Sequence, residues 1–185
     1  MAKKKKKKSG GGLKAVIIVA VITFLAGAFV IIKYPEKVSR PFSRQRPAAE
    51  AAREVSLYLS DEEGLQLKAI KQKITKASLE AELEETVAAL IKDPSRTIPE
   101  GTRLLGVSVK EETAFVDFSS EIMKNHPGGS SGETQTIYSI VDTITLNFPK
   151  VKEVQILVEG KAEETLAGHI DISLPLGPDR DIIKK

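Results

Sequence analysis

An uncharged apolar run near the N-terminus constrains this 185-residue chain more than any other feature. Between Lys14 and Lys33, residues 15–32 contain no charged side chain. A helix rises about 1.5 Å per residue, so this run covers most of a hydrocarbon layer about 30 Å thick. A helix from a soluble core would show a polar stripe, and this run has none. We therefore expect a transmembrane helix that begins at Leu13 and ends at Ile32.

The same segment contains weaker signals for two other fates. Ala26, Gly27 and Ala28 satisfy the small-x-small pattern of a signal-peptide cleavage site, so cleavage after Ala28 is the alternative. The apolar run continues past this site from Phe29 to Ile32, which favours an uncleaved signal-anchor. A lipoprotein signal requires a cysteine where Ala28 stands, so lipidation at this position is excluded.

Charge divides the chain into two unlike parts. Residues 1–46 hold 12 basic residues and one acid, a net charge of +11. The whole chain has 28 basic and 25 acidic residues, so residues 47–185 keep 16 basic and 24 acidic residues and carry −8. An acidic folded part without an arginine-rich stripe repels phosphate backbones. We therefore expect no nucleic acid among the partners.

Basic residues on the two sides of the apolar segment predict its orientation. Seven lysines, Lys3 to Lys8 and Lys14, precede the uncharged run of residues 15–32, and five basic residues follow it before residue 47. This bias favours an N-terminus inside the cytoplasm and a domain outside the membrane. The lipid bilayer is the expected partner of residues 13–32. The predicted organisation is a basic cytoplasmic tail (1–12), a transmembrane helix (13–32), a Pro-containing linker (33–52), one folded domain (53–177) and a charged C-terminal tail (178–185).

The first part of the predicted domain has the pattern of a hairpin followed by a helix. Residues 55–59 alternate apolar and polar side chains, and the alternation resumes at residues 65–67 after an acidic turn that contains a glycine. Apolar residues then recur at helical spacing from Ser78, the predicted N-cap, to the stop at Pro94.

The second part adds a hairpin, a helix and a strand. Residues 104–109 and 114–118 are strand-like. Residues 132–148 are rich in β-branched types, yet their apolar positions repeat at helical spacing, so we predict a helix. Residues 154–158 predict a strand, and a short extended piece is expected at 170–172. This order implies an α+β fold in which a mixed sheet has two helices packed on one face.

One motif suggests a serine hydrolase. Gly128, Ser130 and Gly132 match the G-x-S-x-G pattern of a nucleophile elbow, and Asp142 and His169 follow in the chain order of a catalytic triad. An elbow needs a strand that runs directly into the serine. The predicted strand ends well before Ser130, with residues 121–127 in between, so we expect no catalytic residues and no enzyme activity.

A structural explanation of the same residues is simpler. Ser130 and Glu133 have the spacing of a capping box, in which each side chain bonds to the free backbone amide of the other. His126 and His169 are the only histidines in the chain, and Asp171 is two residues from His169, which is not a recognised metal-ligand spacing. We expect His169 to hold a loop by hydrogen bonds. With no Cys and no phosphate-binding motif, the sequence predicts neither metal nor cofactor.

Two stretches together resemble the GerMN domain of bacterial sporulation and germination proteins. The first comprises TIPEGT (97–102), LLGV (104–107) and AFVDFS (114–119), and the second comprises GGSSGE (128–133), VQILV (154–158) and LAGHID (166–171). The resemblance covers residues 53–177. It implies a compact module related to the ring-building motifs of secretion assemblies, located outside the cytoplasmic membrane. The sequence departs from the family pattern in three ways: one copy rather than a tandem pair, a predicted membrane helix rather than a lipidated cysteine, and Glu111-Glu112 where relatives commonly carry a glycine.

The resemblance implies no catalytic residues in this chain. It transfers signature positions, which we interpret as structural or interaction loops: Gly128, Gly129, Ser130, Ser131, Gly132, Glu133, Gly168, His169 and Asp171. The 128–133 loop leads into the second helix, and the loop around His169 follows the strand after that helix. We therefore expect the two loops to meet, with the His169 ring hydrogen-bonded to the 128–133 loop.

The sequence predicts a single-pass membrane protein that presents one GerMN-like domain as an interaction or scaffold module of the bacterial cell envelope, connected with sporulation or germination. Its protein partner in the envelope is unknown. The alternative is an envelope protein that binds or hydrolyses peptidoglycan or a small ligand. A deep polar pocket joining Ser130 and His169 would favour the alternative.

Overall fold

The computed structural model describes residues 51–185, so the predicted cytoplasmic tail, transmembrane helix and nearly all of the linker lie outside the described residues. Within the described part, no helix combines the length and the apolar character needed to cross a bilayer. The elements in chain order are β1 (Ala52–Ser60), β2 (Leu67–Thr75), α1 (Leu79–Lys92), β3 (Leu104–Lys110), β4 (Thr113–Phe118), α2 (Glu121–Lys124), α3 (Ser130–Asn147), β5 (Glu153–Val158) and a 3-10 turn (Arg180–Ile182).

The strands form two sheets, and the prediction of one mixed sheet is wrong. β1 and β2 pair antiparallel, with Ala52 opposite Thr75 and Ser60 opposite Leu67. The second sheet has the order β3-β4-β5, antiparallel between β3 and β4 and parallel between β4 and β5. The α+β class is confirmed. No strand forms at residues 170–172; instead, Leu176 forms an antiparallel bridge with Val154 of β5.

Polar side chains of α3 close the outer edge of β1, which explains why no further strand pairs there. Asn147 Oδ1 accepts from Ser56 N at 2.8 Å, and Asn147 Nδ2 donates to Ser56 O at 2.7 Å. Thr143 Oγ1 accepts from Tyr58 N at 3.0 Å, and Ser139 Oγ donates to Tyr58 O at 2.6 Å. A spacing of four residues places these three side chains in one row on the helix. The helix thus replaces a neighbouring strand.

The two long helices bury the apolar stripes that their sequences predict. Ser78 caps α1 as expected, because its side chain accepts from Ala81 N at 3.4 Å. α1 packs on β1, β2 and β3, and α3 packs on β1 and β5. The two long helices contribute Leu83, Val87 and Leu90 from α1 and Ile137, Ile140, Val141 and Ile144 from α3 to the core.

The turn between β3 and β4 holds a glutamate in a backbone conformation that favours glycine. Glu111 has φ 57°, in the left-handed region where a side chain crowds the following carbonyl. We expect Glu111→Gly to raise the free energy of unfolding by about 0.5 to 1 kcal/mol, measured by urea denaturation. Glu112→Gly is the matched control, since Glu112 is not among the positive-φ residues. Equal gains in both variants would contradict the explanation.

Candidate functional site

The two predicted loops meet at the buried carboxylate of Glu133. Glu133 lies in the first turn of α3 and has no exposed surface. Its Oε1 accepts from Leu166 N at 2.9 Å and from Ala167 N at 2.8 Å. Its Oε2 accepts from His169 N at 2.8 Å and lies 3.0 Å from His169 Nδ1. One carboxylate therefore holds the whole 166–169 loop against the start of α3.

This geometry confirms that the His169 ring contacts the 128–133 loop, and it shows that the predicted capping box is wrong. The N-cap of α3 is Gly129, and no side chain caps the helix. Ser130 is already the first helical residue, one position past the place where a serine can cap. The carboxylate of Glu133 turns into the core toward the 166–169 loop instead of back toward Ser130.

We therefore expect Ser130→Ala to change the free energy of unfolding by less than about 0.5 kcal/mol. A capping serine would instead contribute about 0.5 to 2 kcal/mol. Ser78→Ala is the matched control, because the Ser78 side chain does cap a helix, and it should show a loss in that range. Urea denaturation measures both variants. A loss for Ser130→Ala as large as that for Ser78→Ala would restore the capping explanation.

Glycines give these loops conformations that other residues rarely adopt. Gly128 and Gly129 have φ 83° and 81° in succession, and Gly168 has φ 96°. The space beside each is open, so the backbone angle rather than crowding favours glycine. The double glycine turns the chain into α3, and Gly168 turns the second loop so that neighbouring amides reach Glu133.

Hydrogen bonds keep Glu133 charged despite its burial. Burial alone would raise the pKa of Glu133, but the amides of Ala167, His169 and Leu166, together with the His169 ring, lower it. His126 contacts the 128–133 loop as well, since its Nδ1 accepts from Gly128 N at 3.0 Å. Burial lowers the pKa of His126. Glu133 thus acts as an ionised structural anchor between two chain segments.

The remaining predicted positions lie outside this contact. Ser130 and Ser131 are exposed and line a shallow pocket together with Leu65, Thr134, Gln135 and Ile182, which does not include His169. Asp171 is exposed and closes a local turn, since its Oδ1 accepts from Ser173 N at 2.9 Å and from Ser173 Oγ at 2.6 Å. These residues therefore do not converge on a common site.

The structure also separates the three residues that matched a triad. Ser130 and Asp142 lie on the same helix, 12 positions apart, which is about 18 Å along the axis. The ring nitrogen His169 Nδ1 is bound to Glu133. Correct chain order is therefore not accompanied by triad geometry.

Asp142 has an unusual environment that sequence analysis missed. Its side chain is fully buried, Oδ1 accepts from Asp179 N at 2.9 Å, and Oδ2 has no partner within residues 51–185. Burial raises the pKa of Asp142 to about 7, and the charge of Asp179 adds to the effect. The sequence did contain one indication of this environment, because Asp142 is an acidic residue among the apolar positions of the helix predicted at residues 132–148. Asp142 helps to dock residues 178–185, which were predicted to be a charged tail.

Residues 97–102, which begin the first stretch of the GerMN resemblance, also stabilise the fold. Thr97 Oγ1 accepts from Ser60 N at 2.9 Å, and Thr97 O accepts from Thr136 Oγ1 at 2.8 Å. Thr102 Oγ1 donates to Pro99 O at 2.7 Å within the same loop. The stretch therefore connects the end of β1 to α3, and its polar residues are used inside the fold.

Comparisons with known proteins identify the family of this domain. The family model Germane, described as sporulation and spore germination, matches residues 56–164. Among solved structures, the tandem GerMN domains of the sporulation protein GerM from Bacillus subtilis are 21% identical, with a TM-score of 0.53; the match covers 69% of this chain and 46% of that one. The first GerMN domain of GerM alone is 20% identical with a TM-score of 0.47, covering 70% and 98%.

A third solved structure, a protein assigned as a lipoprotein from Clostridium perfringens, is 28% identical with a TM-score of 0.49, covering 69% of this chain and 88% of that chain. No curated protein gives a significant match. The tandem GerM structure shows the fold, and the family model spans more than half of the chain, from within β1 to beyond β5. The chain therefore belongs to the Germane family of sporulation and spore germination domains, the GerMN type.

Proposed function

We propose that this protein is anchored in the cytoplasmic membrane and presents its GerMN domain outside it, as an interaction or scaffold module of the bacterial envelope. The observation that carries the interaction role is the arrangement around Glu133. The signature residues bind each other across two loops, and both carboxylate oxygens are used internally. A carboxylate whose two oxygens both bond to groups of the fold supports a rigid surface for partners rather than chemistry on a substrate.

The sequence supports the membrane anchor. Residues 13–32 have the length and composition of a transmembrane helix, and the excess of lysines before them favours an N-terminus inside. The Pro-containing linker of residues 33–52 would extend up to about 60 Å at roughly 3 Å per residue. This reach would let the domain contact partners well above the membrane surface.

A pair of measurements tests the anchor and its orientation. Alkaline phosphatase fused after Lys185 should be active in cells, because the enzyme folds only outside the cytoplasm. Sequencing of the mature N-terminus should find the uncleaved chain. An inactive fusion would overturn the orientation, and a mature N-terminus at Phe29 would show a released protein.

Crosslinking in cells tests the interaction role. The tagged full chain should capture a defined envelope protein after photo-crosslinking, identified by mass spectrometry. A tagged version of residues 1–52 is the control for contacts made by the anchor. If the full chain captures nothing beyond this control, the scaffold role is contradicted.

A further inference from the structure

The outer edge of β2 is closed at its two ends and open between them. At one end, Lys184 N donates to Leu67 O at 2.8 Å, and at the other, Thr75 N donates to Glu85 Oε2 at 2.9 Å. Backbone groups of alternate residues in a strand point to the same side. The alternate residues between these two caps therefore also direct their amides and carbonyls outward: Ala69, Lys71 and Lys73.

These outward groups are nearly unpaired within residues 51–185. The single bond made to them is from Gln72 Nε2 to Lys73 O at 3.0 Å, which comes from an exposed side chain. The outer edge of β1, by contrast, is covered by α3, and β5 bonds to Leu176. An open strand edge is a template on which another extended chain can pair.

β2 is basic although the domain as a whole is acidic. Its nine residues contain three lysines and no acid, and Lys76 follows directly. On the outer face, Lys71 Nζ lies 3.5 Å from Glu54 Oε1, and both side chains are more than half exposed. Lys73 is opposite Glu54 in the register. The lysines therefore exceed the acid that faces them, and this edge attracts a negatively charged chain.

A groove lies on the face of β2 opposite Lys71 and Lys73, and it favours apolar side chains in a bound strand. It lies between β2 and α1 and is lined by Leu57, Gln72, Ile74, Glu85, Ala88, Ala89, Lys92, Asp93 and Pro94. Ile70 is on the same face of β2 as Gln72 and is 41% exposed. Since side chains of an added strand alternate between faces, one set would lie beside the lysines and the other set over this partly apolar groove.

We propose that β2 pairs with an extended segment of a partner protein in which acidic and apolar side chains alternate. A second copy of this chain does not fit, because its β2 edge presents the same lysines, and like charges keep identical edges apart. The proposal rests on the proposed interaction role and assigns that role a surface and a partner chemistry.

Peptide binding to the full chain in mild detergent tests the assignment. The probe is fluorescein-labelled Glu-Val-Glu-Val-Glu-Val, followed by anisotropy, and we expect saturable binding that weakens with added salt. Ala69→Pro removes one outward amide but keeps the charge of the strand and its hydrogen bonds to β1. It should therefore weaken peptide binding about tenfold or more, while the melting temperature of the domain stays unchanged. Lys71→Glu/Lys73→Glu should weaken binding similarly and favour a Lys-Val-Lys-Val-Lys-Val probe.

Lys152→Glu/Lys161→Glu is the matched control, since both lysines are exposed and lie away from β2, and it should bind like the parent. Hydrogen exchange at the amides of Ala69, Lys71 and Lys73 should slow when the acidic peptide binds. Absence of binding to the parent, or equal binding to Ala69→Pro, would overturn the proposal. Self-association that Ala69→Pro abolishes would assign the edge to a second copy and would also overturn it.

The same variant separates this proposal from the broader one. If the full chain and Ala69→Pro capture the same envelope protein equally in cells, the β2 edge is not the docking surface, while the interaction role stands. If neither captures any protein beyond the anchor control, the interaction role itself fails.

Discussion

Glu133→Ala should lower the free energy of unfolding by about 3 to 5 kcal/mol, the largest loss expected from any single truncation in the two loops. The variant removes the acceptor for the amides of Leu166, Ala167 and His169 at once. The bond from the Leu166 amide is buried and the other two are partly buried, and a buried amide left without a partner costs about 1 to 3 kcal/mol. Urea denaturation at pH 7, followed by circular dichroism, measures the loss.

Two further variants distinguish the backbone bonds from the ring contact. Glu133→Gln keeps one carbonyl oxygen and should give an intermediate loss. His169→Ala removes only the ring contact, because the His169 amide still bonds to Glu133, and should lose about 1 kcal/mol. If His169→Ala costs as much as Glu133→Ala, the ring rather than the amides holds the loop, and the explanation is wrong.

The pH dependence gives an independent check on Glu133. Its pKa is lower in the folded domain than its ordinary value of 4.5. The contribution of its charge is therefore fully present above pH 4.5 and is lost as the pH falls through the folded-state pKa. The stability gap between the parent and Glu133→Gln should narrow on acidification. A gap that stays constant from pH 7 down to pH 3 would contradict an ionised anchor.

Local patterns predicted the two long helices and the five strands, because each depends on spacing within a short window, but they did not predict the short helix α2. They did not predict that the strands divide into two sheets. Ser139, Thr143 and Asn147 form a polar row on α3, which in a sequence resembles a row facing water. In the fold this row faces the backbone of β1. A sequence pattern shows that a side chain is polar, but not whether water or a strand edge satisfies it.

The candidate site shows the same limit. Ser130 and Glu133 matched a local capping pattern, while the actual partners of Glu133 are 33 to 36 residues away. The contact with His169 was predictable because a strand-helix-strand path returns the chain to the same end of the fold. The partner of Asp142 was not predictable, since Asp179 lies in a segment whose composition resembles a solvated tail.

Asp142→Asn should stabilise the domain at pH 8 by about 1 to 3 kcal/mol and leave it nearly unchanged at pH 4. The folded-state pKa of Asp142 is raised from 3.8 to about 7, so folding favours the neutral carboxyl. Between these two values the unfolded chain loses its proton first, and the stability of the parent falls as the pH rises. Asparagine keeps the acceptor for Asp179 N and cannot ionise.

Denaturation of parent and variant from pH 4 to pH 8 measures this divergence. Asp171→Asn is the matched control with the opposite sign, because bonds from Ser173 lower the pKa of Asp171, so its replacement should not stabilise the domain at pH 8. If Asp142→Asn destabilises at pH 8, a cation such as Arg180 holds the ionised carboxylate and the buried-acid explanation fails. If Asp142→Asn stabilises the domain as expected, the charge on Asp142 opposes the packing of residues 178–185. Hydrogen exchange of the Asp179 amide in the parent should then accelerate above pH 7 by more than the rise in the intrinsic exchange rate, and this extra acceleration should be absent in Asp142→Asn.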